Sequence, residues 1–375
     1  MQKKCSGCGG CMVICPKKCI SLEKNNQGYF KEKTDYSKCI NCGLCKKICP
    51  MREDIATDLN ESKLFSAYSN NQNVRLKSSS GGIAYLLAKN GIEHGFKILG
   101  CKYDYEANEA KHIILSDLKN LDKIQGSKYL QSDTKVFKEM IELARKDKNT
   151  KFMVFGTPCQ ISAIRNLVDF YKITKQFLLI DIFCHGVPSY LLWDNYLEWL
   201  ENKGIKKEKI DNIVFRDKNY SWHEYFMHIT ARNKEYISSR KKDPFLKLFS
   251  MGALNQRECF TCNYRNKSSA DIRLGDYWGK RYEKSEEGFS MVLINTKDGE
   301  SLFNEFSKEM SITVNEFPIN ERLGQQHENY PIPRYYDESF ELIKEKNGMK
   351  RIISLYDPFP NRLIRTLREF VKNFM

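Results

Sequence analysis

Two largely apolar runs give the chain its clearest rhythm: Phe152-Met153-Val154-Phe155 and residues 177–183, the second interrupted only by Asp181, each followed by a stretch with helical spacing. Short continuous apolar runs read as strands covered on both faces. The first passes through Gly156-Thr157-Pro158 into a helix over 160–167. The second passes through Cys184-His185-Gly186-Val187-Pro188 into a helix reaching 200. Strand, helix and strand in that order imply two parallel neighbours joined by a right-handed crossover. Further strands are expected at 96–103, 111–115, 210–215, 224–231, 235–238, 271–274 and 291–295, and helices at 83–89, 244–254 and near 300–306. Phe137, Met140, Ile141 and Ala144 share one face of an expected helix over 134–145. Residues 59–77 are mostly polar, with Asn70-Asn71-Gln72-Asn73, and read as a linker holding at most a short strand at 64–68. Toward the carboxyl end Leu363, Ile364, Leu367, Phe370, Val371 and Phe374 recur at helical spacing, with Arg362, Arg365, Arg368 and Lys372 between them. That pattern is a basic amphipathic helix, either packed on its own domain or touching anionic lipid or a partner.

Residues 1–58 follow neither rhythm. Cys5-x2-Cys8-x2-Cys11-x3-Cys15-Pro16 recurs as Cys39-x2-Cys42-x2-Cys45-x3-Cys49-Pro50, the spacing of bacterial two-cluster ferredoxins. In such runs three thiolates point inward from one tight loop and the fourth serves the other cube. One ligand set is therefore Cys5, Cys8, Cys11 and Cys49, and the other Cys39, Cys42, Cys45 and Cys15. Paired zinc knuckles have no use for a third cysteine two residues on. The segment holds little apolar material, so its metal is expected to hold it together.

Composition narrows the class. With 375 residues, 41% hydrophobic and 29% charged, the chain reads as a soluble globular protein of two or three domains. No apolar run reaches the length of a membrane span, and no signal-peptide core precedes the first cysteines. Fourteen cysteines then argue for a reducing cytoplasm and metal ligation rather than disulfides. The net charge of +14 describes either solvated lysine-rich faces or a docking surface for an acidic electron carrier such as ferredoxin. Nucleic acid is not expected as a partner, since zinc-finger pairing of Cys with His and RNA-recognition aromatics are both missing.

A second constellation lies further on. Cys159 and Cys184 each leave the carboxyl end of an expected parallel strand, the edge where open α/β sheets bind ligands. With Cys259-x2-Cys262 they make a candidate third 4Fe-4S site. The competing readings are two buried cysteines beside half a zinc site or a redox dithiol. Cys19 and Cys101 remain over and are expected to be structural. Ser78, Ser79, Ser80, Gly81 and Gly82 before a helix form a candidate phosphate cradle or a plain helix cap. Gly126, Ser127 and Lys128 add a lysine beside a glycine turn.

These stretches, with Phe215-Arg216-Asp217-Lys218, Glu258-Cys259-Phe260-Thr261-Cys262 and Asp276-Tyr277-Trp278-Gly279, occur in the order seen in one family. The chain resembles the beta subunit of coenzyme F420-reducing hydrogenase and its dehydrogenase relatives over about three quarters of its length. The resemblance implies FAD in the α/β domain, with Ser79, Ser80, Gly81, Gly82, Gly126, Ser127 and Lys128 as its holders and Asp276, Tyr277 and Trp278 at its border or, for Trp278, in the core. It implies electron passage between a two-electron carrier, F420-like or other, and one-electron partners, through FAD and 4Fe-4S clusters. His185 stands beside Cys184 as a donor to cluster or flavin, or as a loop cap. The rival functions are a non-catalytic electron-transfer subunit of a larger complex and a ferredoxin-dependent disulfide reductase using Cys259 and Cys262. The expected architecture is α/β: a two-cluster ferredoxin module over 1–58, a linker over 59–77, a flavin-binding domain with a mixed sheet over 78–330, and a basic helical tail over 331–375.

Overall fold

The computed structural model describes residues 4–52, 56–323 and 329–357. The amphipathic stretch 362–374 lies outside the described residues. In chain order come α1 (Gly10–Ile14), β1 (Ile20–Lys24), β2 (Phe30–Thr34), α2 (Leu44–Lys47), β3 (Thr57–Asp58), β4 (Lys63–Ser69), α3 (Gln72–Lys77) and α4 (Ile83–Glu93). There follow β5 (Phe96–Asp104), β6 (Glu109–Leu115), β7 (Ser132–Asp133), α5 (Val136–Lys146), β8 (Lys151–Gly156), α6 (Pro158–Phe170), β9 (Phe177–Ile182) and α7 (Tyr190–Glu201). The chain continues with β10 (Asn212–Asp217), β11 (Phe226–Ala231), β12 (Lys234–Ser239), α8 (Pro244–Met251), β13 (Lys267–Ser268), β14 (Ile272–Asp276) and β15 (Ser290–Ile294). It closes with α9 (Lys297–Glu309), β16 (Ile312–Phe317), α10 (Tyr336–Leu342) and α11 (Gly348–Tyr356).

Nine strands form one mixed sheet in the order β16-β4-β15-β14-β9-β8-β5-β6-β7. Its centre is parallel: β8 pairs with β5 and β9, and β9 with β14. The alternation within β8 shows why its run is apolar throughout. Phe152 and Val154 enter a core with Phe137, Met140, Ile161 and Ile164 from α5 and α6. Met153 enters the opposite core with Ile83 and Leu87 of α4 and Phe303 of α9. Both faces are covered, as parallel strands require. A separate antiparallel sheet, β10-β11-β12, adjoins the helices α7 and α8.

Three expectations about organisation change. The stretch expected as a linker contains β4, which is hydrogen-bonded on both sides, to β15 and to β16. Its apolar share is low because buried serines, Ser66 and Ser69, take sheet positions inside it. The expected tail begins with α10 and α11, whose Tyr336, Phe340, Met349 and Ile352 share a core with Trp193 and Phe245. The cysteine-rich segment is not held by metal alone. Tyr29 and Phe30 join that same core, while Val13, Ile14 and Ile48 join the core of α5 and α6. The packing is tight enough to exclude a methyl group: a Cβ on Gly7 (φ 71°) would lie 2.2 Å from the Phe30 carbonyl oxygen. One on Gly9 (φ 83°) would lie 2.2 Å from Thr134 Oγ1.

Candidate functional site

β8 runs into α6 through a capping box between Thr157 and Gln160, with Pro158 in the first turn. Cys159 is thereby fixed at the carboxyl end of β8. At the end of β9 the Phe183 N–H still bonds the Leu274 carbonyl at 2.9 Å, so Cys184 leaves the sheet next door. Gly186 (φ 137°) brings the following loop so near that a Cβ there would meet Cys259 Cβ at 3.2 Å. A bridge between Pro188 and Asn255, and the Gln256 N–H on the Val187 carbonyl at 2.9 Å, zip the two loops together. Two sheet ends and one loop thus gather Cys159, Cys184, Cys259 and Cys262. Cys259 has Cys184, Cys159 and Cys262 as charge neighbours, and Cys184 has Cys159 and Cys262. Burial pushes all four thiols up, that of Cys184 to about 12, and their mutual repulsion adds to it in Cys159, Cys184 and Cys259. Among the described residues no three His, Cys, Asp or Glu side chains converge on a single ion. The four cysteines influence one another's charge without forming a site for a single ion. All fourteen cysteines are free of disulfides.

The amino-terminal cysteines of the two runs lie close together. Cys11 has Cys5, Cys49 and Cys45 as charge neighbours, Cys8 has Cys11 and Cys5, and Cys49 has Cys5 and Cys45. After burial, the largest influence on the Cys8 thiol is Cys159. Cys15 Sγ lies 3.3 Å from Cys19 Sγ, and Cys19 also neighbours Cys39. Cys19, expected as a bystander, is therefore buried against two candidate ligands. Cys42 is exposed, with Tyr36 (74%) and Ile40 (57%) beside it in the chain. Cys101 faces Lys128.

The two expected cradle motifs meet. Ser79 Oγ lies 2.8 Å from Ser127 Oγ and accepts the Ser127 N–H at 2.9 Å. Ser80 Oγ donates to the Phe289 carbonyl at 2.6 Å. Gly81 serves the sheet, since a Cβ there would lie 2.4 Å from the Ala67 carbonyl oxygen. Gly82 (φ 92°) starts α4. Lys128 Nζ donates to the carbonyls of Gln125 (2.7 Å) and Gly126 (3.1 Å), and burial pulls its ammonium down to about 8.

Residues with no spacing signal complete this edge. Lys218 Nζ is spent on the carbonyls of Arg75, Ser80 and Glu287 at 2.7, 2.6 and 2.9 Å. Arg216 bonds Asp276 Oδ2 at 2.5 Å and lies over Tyr225 and Trp278, 4.6 and 5.5 Å from their ring centres. Trp222 donates to Asp276 Oδ1 at 3.1 Å and stacks on Trp278. Tyr277 is instead fully buried, in a small core with Leu59 and Leu64. Arg216 Nε and Nη2, and Arg75 Nη2, are buried donors without partners. Ile182, at the end of β9, is 42% exposed. Buried cationic donors without partners fit an anionic ligand. His185 stacks on Tyr330, with ring centres 4.9 Å apart. A cavity of about 240 Å³ lined by Phe96, Lys97, Asp147 and Thr150 opens at the opposite, amino-terminal edge of the sheet.

Residues 149–319 match a family model that describes the carboxy-terminal part of the coenzyme F420 hydrogenase/dehydrogenase beta subunit, and residues 4–52 match the 4Fe-4S dicluster domain. The first span contains the later quartet and the second all eight amino-terminal cysteines of the two runs. The chain is 24% identical over 258 residues to coenzyme F420-dependent sulfite reductase of Methanocaldococcus jannaschii, covering 64% of this chain and 37% of that protein. It is 27% identical over 184 residues to coenzyme F420 hydrogenase subunit beta of Methanococcus voltae, covering 48% and 56%. An uncharacterized Methanocaldococcus jannaschii protein is 24% identical over 334 residues, covering 80% and 86%. The chain thus spans little more than a third of the first relative's length and just over half of the second's. A chain of the F420-reducing [NiFe] hydrogenase complex from Methanosarcina barkeri superposes with a TM-score of 0.48 at 20% identity, covering 79% of this chain and 92% of that one. No described helix is long and apolar enough to cross a membrane.

Proposed function

We propose, for a chain that belongs to the coenzyme F420 hydrogenase/dehydrogenase beta-subunit family and carries a 4Fe-4S dicluster domain, an iron-sulfur flavoprotein oxidoreductase. It passes electrons between a two-electron carrier, F420-like or other, and one-electron partners. When bound, flavin exchanges electrons singly or as a hydride pair, and the clusters exchange them singly. In this reading Cys5, Cys8, Cys11 and Cys49 hold one cube and Cys39, Cys42, Cys45 and Cys15 a second. Cys159, Cys184, Cys259 and Cys262 hold a third. Ser79, Ser80, Gly81, Gly82, Gly126, Ser127 and Lys128 hold FAD, joined by the unspent donors of Arg216.

The observation that carries this reading is the meeting of two cysteine sets that lie far apart in the sequence. Cys159 is the foremost charge neighbour of Cys8. Glu258, next to Cys259, accepts the Cys5 N–H at 3.4 Å, and Lys31 bridges the Cys5 carbonyl and Glu258 at 2.5 and 2.9 Å. The set with Cys39 and Cys42 is the one at the surface. Exposed Lys17, Lys18, Lys38, Lys46 and Lys47 lie along the same segments, which suits an acidic carrier such as ferredoxin or an acidic face of a partner subunit. Anaerobic purification with iron, sulfide and flavin assays tests the proposal. About twelve irons and one flavin per chain are expected, at four irons per cube. Eight irons would return Cys259 and Cys262 to the dithiol reading, and absence of flavin would favour a non-catalytic relay.

A further inference from the structure

A guanidinium taken out of water is costly unless an anion accompanies it. Three other buried arginines follow that rule. Arg273, fully buried, gives two N–H groups to Asp181 at 2.7 and 2.5 Å. Arg216 bonds Asp276 and Arg75 bonds Glu287, each at 2.5 Å.

Arg265 departs from it. It is 8% exposed, and among the described residues no carboxylate lies within ion-pair reach of it. Its acceptors are neutral carbonyls: Nη1 donates to Cys184 at 3.0 Å, and Nη2 donates to His185 at 2.8 Å and to Cys259 at 3.1 Å. The guanidinium lies 4.9 Å from the Tyr330 ring centre, and Nε has no partner. The ionisable groups it acts on are Cys184, Cys262 and Tyr330, whose phenol burial holds above its ordinary range. Neutral thiols do not balance a cation. Arg273 also reaches Cys262, but its charge is already matched by Asp181.

We propose that the missing counter-charge is the third cluster, and that Arg265 is its charge-balancing and positioning residue. The inference rests on the third-cluster reading given above. Four thiolates around a cube make a net negative object, and one more electron makes it more so. A fixed cation at its edge stabilises the reduced form more than the oxidised one and raises the potential. The same guanidinium ties the carbonyls of Cys184 and His185 to that of Cys259, so the two ligand loops stay in register when the site is empty.

The test is a redox titration of the anaerobically purified holoprotein, followed by electron paramagnetic resonance and paired with an iron count, in wild type, Arg265→Gln and Arg265→Lys. The third-cluster signal is the one that Cys184→Ala removes. In Arg265→Gln its reduction equilibrium falls at least tenfold, a negative shift of about 59 mV for one electron, while the amino-terminal signals stay put. Arg265→Lys, which keeps the charge, recovers most of that shift. Loss of four irons in Arg265→Gln but not in Arg265→Lys would equally support charge balance. An unmoved midpoint with twelve irons bound would overturn the role of Arg265 alone, as would equal loss in both variants. Eight irons in wild type would remove the third-cluster reading itself.

Discussion

Gln256 donates its side-chain N–H to the carbonyl oxygen of Cys5 at 2.8 Å. The bond ties the loop that leads into Cys259 to the loop that opens the first cysteine run. Gln131 reinforces it from the other side, donating to the Ser6 carbonyl at 3.1 Å and accepting the Phe30 N–H at 2.7 Å. The amino-terminal cysteines are thus positioned by side chains of the α/β domain as well as by their own loops.

Unfolding should therefore be shared. Ile14 of α1 is 3% exposed in a core with Phe137 and Ile164. Replacing it with Ala should cost about 2–5 kcal/mol and lower the melting temperature of the whole chain. Anaerobic calorimetry checks this. An early separate transition for residues 4–52, with the rest of the melt unchanged, would show that the two parts fold independently.

Iron counts should separate ligands from neighbours. Cys184→Ala should lose about four irons, one cube's worth. Cys19→Ser should keep the wild-type count, because its place outside both spacings leaves it surplus even though its sulfur touches Cys15. A drop of about four irons in the Cys19 variant would make it a ligand.

Electron exchange with an acidic carrier should slow steeply with salt. Lys17, Lys18, Lys38, Lys46 and Lys47 are exposed near the outer cysteine set, and the Debye length falls from about 10 Å at 0.1 M to about 3 Å at 1 M. Stopped-flow rates should fall across that range, and Lys46→Glu with Lys47→Glu should flatten the dependence. Rates indifferent to both would exclude electrostatic docking.

Acid should destabilise the fold through His112. Burial pulls its imidazole down to about 4. Nε2 faces the Phe155 carbonyl at 3.1 Å and Nδ1 is buried without a partner, so a proton added at Nδ1 would find no acceptor. With the folded value depressed, the stabilising contribution is complete above about 6.5, the unfolded value, and is lost as pH falls toward 4. Its full size is on the order of 3 kcal/mol. Melting temperatures between pH 7 and pH 5 should fall less in His112→Leu than in wild type. Parallel slopes would assign the acid sensitivity elsewhere.

Sequence alone determined what depends on near neighbours. The cysteine spacing names the ligand types because a loop of fixed length presents its own thiolates. The runs in β8 and β9 announce a buried parallel pair, and with it the candidate edge at Cys159 and Cys184, because a strand covered on both faces is mostly apolar, Asp181 of β9 being buried only with its partner Arg273. The helices α5, α6 and α7 show in their periodicity for the same local reason. What only the tertiary structure decided concerns residues that meet by folding. A short strand at 64–68 was legible, but that β4 sits inside the sheet was not, because its pairing with β15 and β16 rests on backbone hydrogen bonds, which polar side chains do not reveal. Arg216, Lys218 and Arg265 carry no spacing signal, since a charged side chain looks the same in sequence whether solvated or buried. The electrostatic coupling of Cys8 to Cys159 follows from how Gly7, Gly9 and Phe30 pack against Gln131 and Thr134. Close packing between distant segments fixes such contacts, and no local pattern encodes it.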